Sequence, residues 1–193
     1  MNGIKAIVHT AAASQLGRML VKACKKYDIG IINIVRKKEQ VEILKELGAE
    51  HIVNSTDDDY KEQLSKKIEE LQPMSFYDPC GGETGNTVIS LMPPGSTTYI
   101  YGALEKDPRY TLSPVDLIFK QKHITGFWLK NALKKPEVAK QIFANTYENL
   151  STGLYKTIIG KKFPYEQYLE AMDYNDKNQT EGKVVLQNPN YSN

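Results

Sequence analysis

The stretch Lys5-Ala6-Ile7-Val8-His9-Thr10-Ala11-Ala12-Ala13-Ser14-Gln15-Leu16-Gly17-Arg18-Met19-Leu20 decides how the rest of the chain reads. Its first five residues make a short apolar run suited to a strand. Thr10 to Ser14 are all small. From Leu16 onward the apolar positions Leu16, Met19, Leu20, Ala23 and Cys24 fall at helical spacing, with Lys22, Lys25 and Lys26 on the other faces. Strand, small-residue loop and helix, in that order, let backbone approach a pyrophosphate that a helix N-terminus then faces. Aligned on the three-glycine dinucleotide fingerprint, the loop places Ala12, Ser14 and Gly17 at the glycine positions, so only the third glycine is kept. Ala13, Gln15 and Leu16 complete the loop and the helix start. An ordinary tight turn between a strand and a helix would use the same residues.

The second strand separates the two readings. Gly30 introduces Ile31-Ile32-Asn33-Ile34-Val35, a β-branched run consistent with a strand covered on both faces. Dinucleotide sites that take NAD carry an acid near the end of this strand for the ribose 2′-hydroxyl. Here Arg36 stands in that place, followed by Lys37 and Lys38. A guanidinium can grip a 2′-phosphate with two parallel hydrogen bonds, whereas an acid would repel it. A merely solvated basic helix start is the alternative, but cations there oppose the helix dipole. The residues therefore point to NADP(H) rather than NAD(H).

The alternation continues. A helix with Val41, Leu44 and Leu47 inward stops at Gly48, and Ile52-Val53 makes a short strand. Helix Tyr60 to Leu71, strand Ser75 to Asp78, helix Thr84 to Leu91 and strand Ser96 to Tyr101 follow. Ser113-Pro114 reads as an N-cap with proline in the first helical position. A strand near Ile124 to Trp128 and a helix from Pro136 to about Tyr147 end the series. Six such alternations predict an α/β fold: a doubly wound parallel sheet, the Rossmann fold, with ligand at the carboxyl ends of its strands. Residues 1–150 are assigned to that domain and 151–193 to a short C-terminal α+β tail. In the tail, Thr157 to Gly160 reads as a strand, Phe163-Pro164-Tyr165 as a turn and Tyr168 to Met172 as a helix.

Bulk properties exclude several classes. A net charge of +2 gives no basis for nucleic-acid binding. No apolar run approaches the length of a membrane span. With no signal or transit pattern at the N-terminus, the expectation is a soluble, cytoplasmic protein. Two cysteines, Cys24 and Cys80, supply neither a disulfide framework nor zinc-ligand spacing. Cys24 reads as a small buried hydrophobe. Cys80, beside Gly81-Gly82, reads as a loop residue with a thiol of open reactivity.

Five ordered motifs resemble the medium-chain dehydrogenases/reductases, in the branch of zinc-binding dehydrogenases and quinone oxidoreductases. They are the Ile7–Leu20 start, Leu47-Gly48-Ala49 leading to Ile52-Val53, Asp78-Pro79-Cys80-Gly81-Gly82, Tyr99-Ile100-Tyr101-Gly102-Ala103-Leu104, and Gly182-Lys183-Val184-Val185-Leu186. The resemblance implies NAD(P)H-dependent reductase or dehydrogenase chemistry. It adds Asp78 to the candidate cofactor residues, with Tyr101, Gly102 and Ala103 against the nicotinamide half and Phe127 and Trp128 near the carboxamide. Tyr101 and Trp128 serve equally well as core aromatics.

In that family an N-terminal GroES-like domain supplies most substrate and zinc contacts, and the first strand here already begins near residue 4. The expectation is therefore a cofactor half without zinc and with no catalytic residue that can be named. His9, His51 and His123 are scattered, and none is spaced with a cysteine. The tail, normally packed on that domain, would then be covered over residues 154–186 by a second copy or another chain. Two functions follow: an NADP(H)-dependent oxidoreductase acting on a carbonyl, enone or quinone, or an inactive nucleotide-binding or structural subunit.

Overall fold

The computed structural model describes residues 3–188. Strands and helices alternate as β1 (Ala6–His9), α1 (Gln15–Lys26), β2 (Gly30–Val35), α2 (Lys38–Glu46), β3 (His51–Asn54) and α3 (Tyr60–Leu71). Then come β4 (Ser75–Asp78), α4 (Gly82–Leu91), β5 (Thr97–Ile100), α5 (Pro114–Ile118) and β6 (His123–Gly126). All six strands are parallel, in the order β3-β2-β1-β4-β5-β6. This is the doubly wound order expected from the alternation. Strand order reverses between β1 and β4, so their carboxyl ends part and open a crevice.

The period of two along each strand divides the core into two layers. Ile7, Ile31 and Val35 face one side, where they meet Val21 and Cys24 of α1 and Leu44 of α2. Val8, Ile32 and Ile34 face the other, against Leu64 and Ile68 of α3 and Val88 of α4. Each aliphatic side chain buried this way contributes about 1.5–3 kcal/mol. Asn33 is the one polar residue in β2. It is buried, and its Nδ2 donates to the carbonyls of Ile31 (3.2 Å) and His51 (3.3 Å).

Departures from expectation cluster after β5. Strand β6 ends at Gly126 rather than Trp128; Phe127 N donates to Ile100 O (2.7 Å) and the chain then leaves the sheet edge. A short helix α6 (Leu129–Leu133) follows, and α7 (Pro136–Ser151) outruns its predicted end. The extra turn of α7 is anchored from outside, because Lys26 Nζ donates to Glu148 Oε1 (3.1 Å) and Asn149 Oδ1 (2.8 Å).

The tail is a small parallel unit: β7 (Ile159–Pro164), one 3₁₀ turn (Tyr165–Gln167), α8 (Tyr168–Lys177) and β8 (Lys183–Gln187), with β7 paired to β8. The expected turn at Phe163 and Pro164 is thus strand. Phe163 explains this, since its buried ring packs 5.6 Å from that of Tyr174 and anchors β7 beneath α8.

The tail also binds its own chain. Gln15 Nε2 donates to Lys156 O (3.2 Å), Gln15 Oε1 accepts from Ile158 N (3.1 Å), and Arg18 Nη2 donates to Thr180 O. Its outer face remains apolar and exposed at Tyr168, Leu169 and Met172.

Candidate functional site

The site begins with the loop between β1 and α1. Ala12 N donates to Ile34 O (3.2 Å) and Ser14 N to Ala11 O (2.9 Å), pulling the loop into a tight curl. Ala11 holds φ +50°, a left-handed conformation that costs a residue with a Cβ about 1–2 kcal/mol. Ser14 caps α1, its Oγ accepting from Gly17 N (3.1 Å). A Cβ on Gly17 would lie 2.3 Å from Ala12 O, so the third fingerprint position has room for glycine alone. Arg18 Nε donates to Ala13 O (2.8 Å) and braces the loop from behind. The first turn of α1 carries no acid and its last turn carries Lys25 and Lys26. The positive end of the helix dipole therefore faces the crevice without an internal counter-charge from its own turn.

A cleft with about 620 Å³ of solvent-open space lies here. Of the sequence-predicted residues, Ala13, Ser14 and Arg36 line it. Thr10, Gln40, Cys80, Glu105 and Gln179, which sequence reading missed, line it too. Arg36 closes β2 with an exposed side chain whose Nη1 sits 3.0 Å from Glu105 Oε1. Gln40 Oε1 accepts from Arg36 N (3.0 Å). A glutamine in the first turn of a helix that reaches back to an upstream amide is a recognisable capping signal. For Glu105 and Gln179 no local signal exists. Lys37 is the exposed N-cap of α2 and makes no side-chain capping bond.

Asp78 is fully buried below the loop. Its Oδ1 accepts from Thr10 Oγ1 and Cys80 N (2.8 Å), and its Oδ2 from Gly81 N (3.2 Å) and Tyr110 Oη (2.7 Å). A carboxylate has about four acceptor sites, so protein donors saturate it. It shapes the cleft floor and turns no oxygen to a ligand. Burial, followed by this bond to Asp78, holds the Tyr110 hydroxyl well above the ordinary tyrosine range.

The remaining candidates spread along the strand ends. Tyr101 N donates to Asp78 O (3.0 Å), and its hydroxyl lies 2.6 Å from Nε2 of His9. Burial pushes the Tyr101 phenol up and the His9 imidazole down to about 4, so His9 is neutral at pH 7. Gly102 passes so close to Pro79 that a Cβ would lie 2.7 Å from its carbonyl oxygen. Ala103, Phe127 and Trp128 are exposed near the ends of β5 and β6. Two predicted residues point elsewhere: Gln15 tethers the tail, and Leu16 lines an apolar groove with Ile142 and Leu150 of α7. Ala12 is buried in the core layer beside α1.

The chemistry available is binding more than proton transfer. Burial raises the Cys80 thiol to about 11, so it stays protonated at neutral pH and is no thiolate nucleophile. Cys24 is buried in the core with its thiol likewise near 11. Among the described residues no group of three or more His, Cys, Asp or Glu side chains is placed to hold a metal ion. The described donor set thus does not fit a zinc site. No helix is long and apolar enough to cross a membrane among those residues.

A family model described as zinc-binding dehydrogenase matches residues 16–145. The chain is 28% identical over 142 residues to the mitochondrial enoyl-[acyl-carrier-protein] reductase of Arabidopsis thaliana, covering 72% of this chain and 38% of that one. It is 26% identical over 195 residues to a probable quinone oxidoreductase of Leishmania amazonensis, covering 92% and 55% respectively. The fold superposes on a crystal structure of a proposed NADPH:quinone reductase from Mesorhizobium loti with a TM-score of 0.84 at 30% identity. That match covers 96% of this chain and 54% of the other. The chain thus spans about half the length, or less, of these relatives. With the sheet order, the glycine-limited loop and the matched span all in agreement, the chain belongs to the zinc-binding dehydrogenase family and has the cofactor-binding-domain fold of the medium-chain dehydrogenases/reductases.

Proposed function

We propose that this chain binds NADP(H) as the cofactor half of an oxidoreductase acting on a carbonyl, an enone or a quinone. The observation that carries the reading is Arg36, a guanidinium at the end of β2 on the wall of the cleft. In a site for NAD(H) an acid belongs there. The loop supports it: Gly17 lets the start of α1 pack directly on the Ala12 carbonyl, where an added Cβ would lie at 2.3 Å, and the α1 N-terminus faces the crevice.

In this reading Arg36 holds the 2′-phosphate, with Lys37 adding positive potential beside it. Ala12 to Gly17 give the pyrophosphate close backbone approach. Tyr101 to Ala103, Phe127 and Trp128 flank the nicotinamide half, and Asp78 keeps the loop in shape from beneath. The bound nicotinamide supplies hydride chemistry, and the protein's task is to orient it. Substrate specificity and the proton donor lie with groups that complete the cleft. The apolar outer face of the tail provides a docking surface for a second copy or another chain.

One observation favours a second reading, a nucleotide-binding subunit without turnover. His9 is fully buried with its Nε2 2.6 Å from the Tyr101 hydroxyl, and among the described residues no histidine lines the cleft.

Thermal unfolding with NADPH, NADH or no ligand tests the cofactor reading. At 100 times its dissociation constant a ligand stabilises the fold by about 2.7 kcal/mol, roughly 5 to 11 °C at this chain length. The expected result is a larger shift with NADPH than with NADH. No shift with either would overturn both nucleotide-binding readings and leave a structural subunit. Oxidation of NADPH by quinone or enone substrates then separates the enzyme from the silent subunit.

A further inference from the structure

Arg36 does not stand alone at the end of β2. Glu105 Oε1 lies 3.0 Å from its Nη1, although the two residues are distant in sequence. The backbone delivers this carboxylate deliberately. Leu104 N donates to Pro79 O (3.0 Å) and Glu105 N to Cys80 O (3.1 Å), so the loop after β5 is laced to the loop after β4. The Glu105 stem lies over Gly82, where an added Cβ would meet its Cγ at 3.4 Å. Both Arg36 and Glu105 line the cleft.

We infer that Glu105 is a specificity-determining residue for the 2′-position of the cofactor, which narrows the preference for NADPH over NADH. The inference rests on the proposed cofactor reading. An NAD-type site presents a carboxylate to the ribose 2′-hydroxyl from the end of its second strand. Here that place holds a guanidinium, and the carboxylate arrives from the loop after β5 instead. The 2′-position thus meets both chemistries. A 2′-phosphate must compete with Glu105 for the guanidinium and tolerate its negative charge. A 2′-hydroxyl donates to Glu105 and leaves the ion pair intact. The pair is easily opened by a phosphate, because both side chains are solvent-accessible and screening keeps exposed pairs weak.

Dissociation constants for NADPH and NADH, measured by calorimetric titration on the intact chain, test this. The set comprises wild type, Glu105→Gln, Arg36→Ala and the double variant. Glu105→Gln keeps shape and removes charge at a part-exposed site, and unliganded melting confirms that it folds. It is expected to tighten NADPH by about fivefold, the scale of an exposed ion pair. It is expected to weaken NADH by about tenfold, the scale of a charged hydrogen bond. In the Arg36→Ala background its gain for NADPH shrinks, while its loss for NADH persists. If Glu105→Gln moves both constants equally, or neither, while Arg36→Ala still weakens NADPH, the Glu105 inference fails and the cofactor reading stands. If wild type binds neither dinucleotide, both fail.

Discussion

The hydroxyl of Tyr101 lies 2.6 Å from Nε2 of His9, with the two rings within 3° of parallel. It is the imidazole's one hydrogen-bond partner among the described residues, since Nδ1 is buried and unpaired. A cation on that ring would be buried, and among the described residues no carboxylate pairs with it.

This geometry sets a pH dependence. The folded-state value for His9 is about 4 against an ordinary 6.5, so the unfolded chain binds the extra proton throughout that window. Stability contributed by the neutral ring is complete above pH 6.5 and is lost as pH falls toward 4. The loss reaches about 3 kcal/mol. Urea unfolding between pH 4 and 7 should show this slope in wild type and a flatter one in His9→Gln. An identical slope in the variant would assign the acid sensitivity to other groups.

Asp78 is the second buried polar centre, and its four donors make it intolerant of an amide. Asp78→Asn places an NH₂ against hydroxyl and backbone donors and should cost about 3 kcal/mol. Tyr110→Phe removes only one of the four and should cost about 1 kcal/mol. Chemical denaturation measures both. Equal stability of Asp78→Asn and wild type would mean that the loops stand without this carboxylate.

Gly17 and Gly126 form a matched pair. A Cβ at Gly17 meets Ala12 O at 2.3 Å, whereas one at Gly126 meets nothing within 4 Å. Gly17→Ala should lower stability by about 1–3 kcal/mol, the cost of overpacking, and weaken NADPH at least about tenfold. Gly126→Ala should leave melting nearly unchanged. A Gly17→Ala variant that binds normally would show that the loop can yield.

Tyr168, Leu169 (67%) and Met172 lie exposed on one face of α8 at i,i+3 and i,i+4 spacing, and β6 is at the edge of the sheet. Self-association is the expected behaviour in solution. Light scattering should find species larger than a monomer, and Leu169→Glu with Met172→Glu should reduce them. A monodisperse monomer at high micromolar concentration contradicts this.

Much of the molecule was legible before any coordinates. The two-layer burial of β2 follows from Ile31 to Val35 as a β-branched run, and its one polar interruption, Asn33, is absorbed by neighbouring carbonyls. The requirement for glycine at position 17 and the basic end of β2 were readable for the same reason. Strand period, helix period, steric room at a Cα and the sign of a charge are local properties, and they survive in any fold that forms these elements.

Tertiary structure decided what long-range chain paths bring together. Gln15 reads as a loop residue but ties down the tail at Lys156 and Ile158, and Arg18 reaches Thr180. Asp78 ends its strand as expected, yet the donors around it turn its carboxylate inward. A strand was expected over Thr157 to Gly160, but β7 runs on to Pro164, where its backbone pairs with β8 and the buried Phe163 ring meets Tyr174. Glu105 joined Arg36 only because one loop was laced against another. Sequence alone thus determined the order of elements through β6, their parallel alternation and the chemistry of the glycine loop and the Arg36 position. Which side chains share the cleft, and which charge answers Arg36, depended on strand order and loop path, where no residue carries the information by itself.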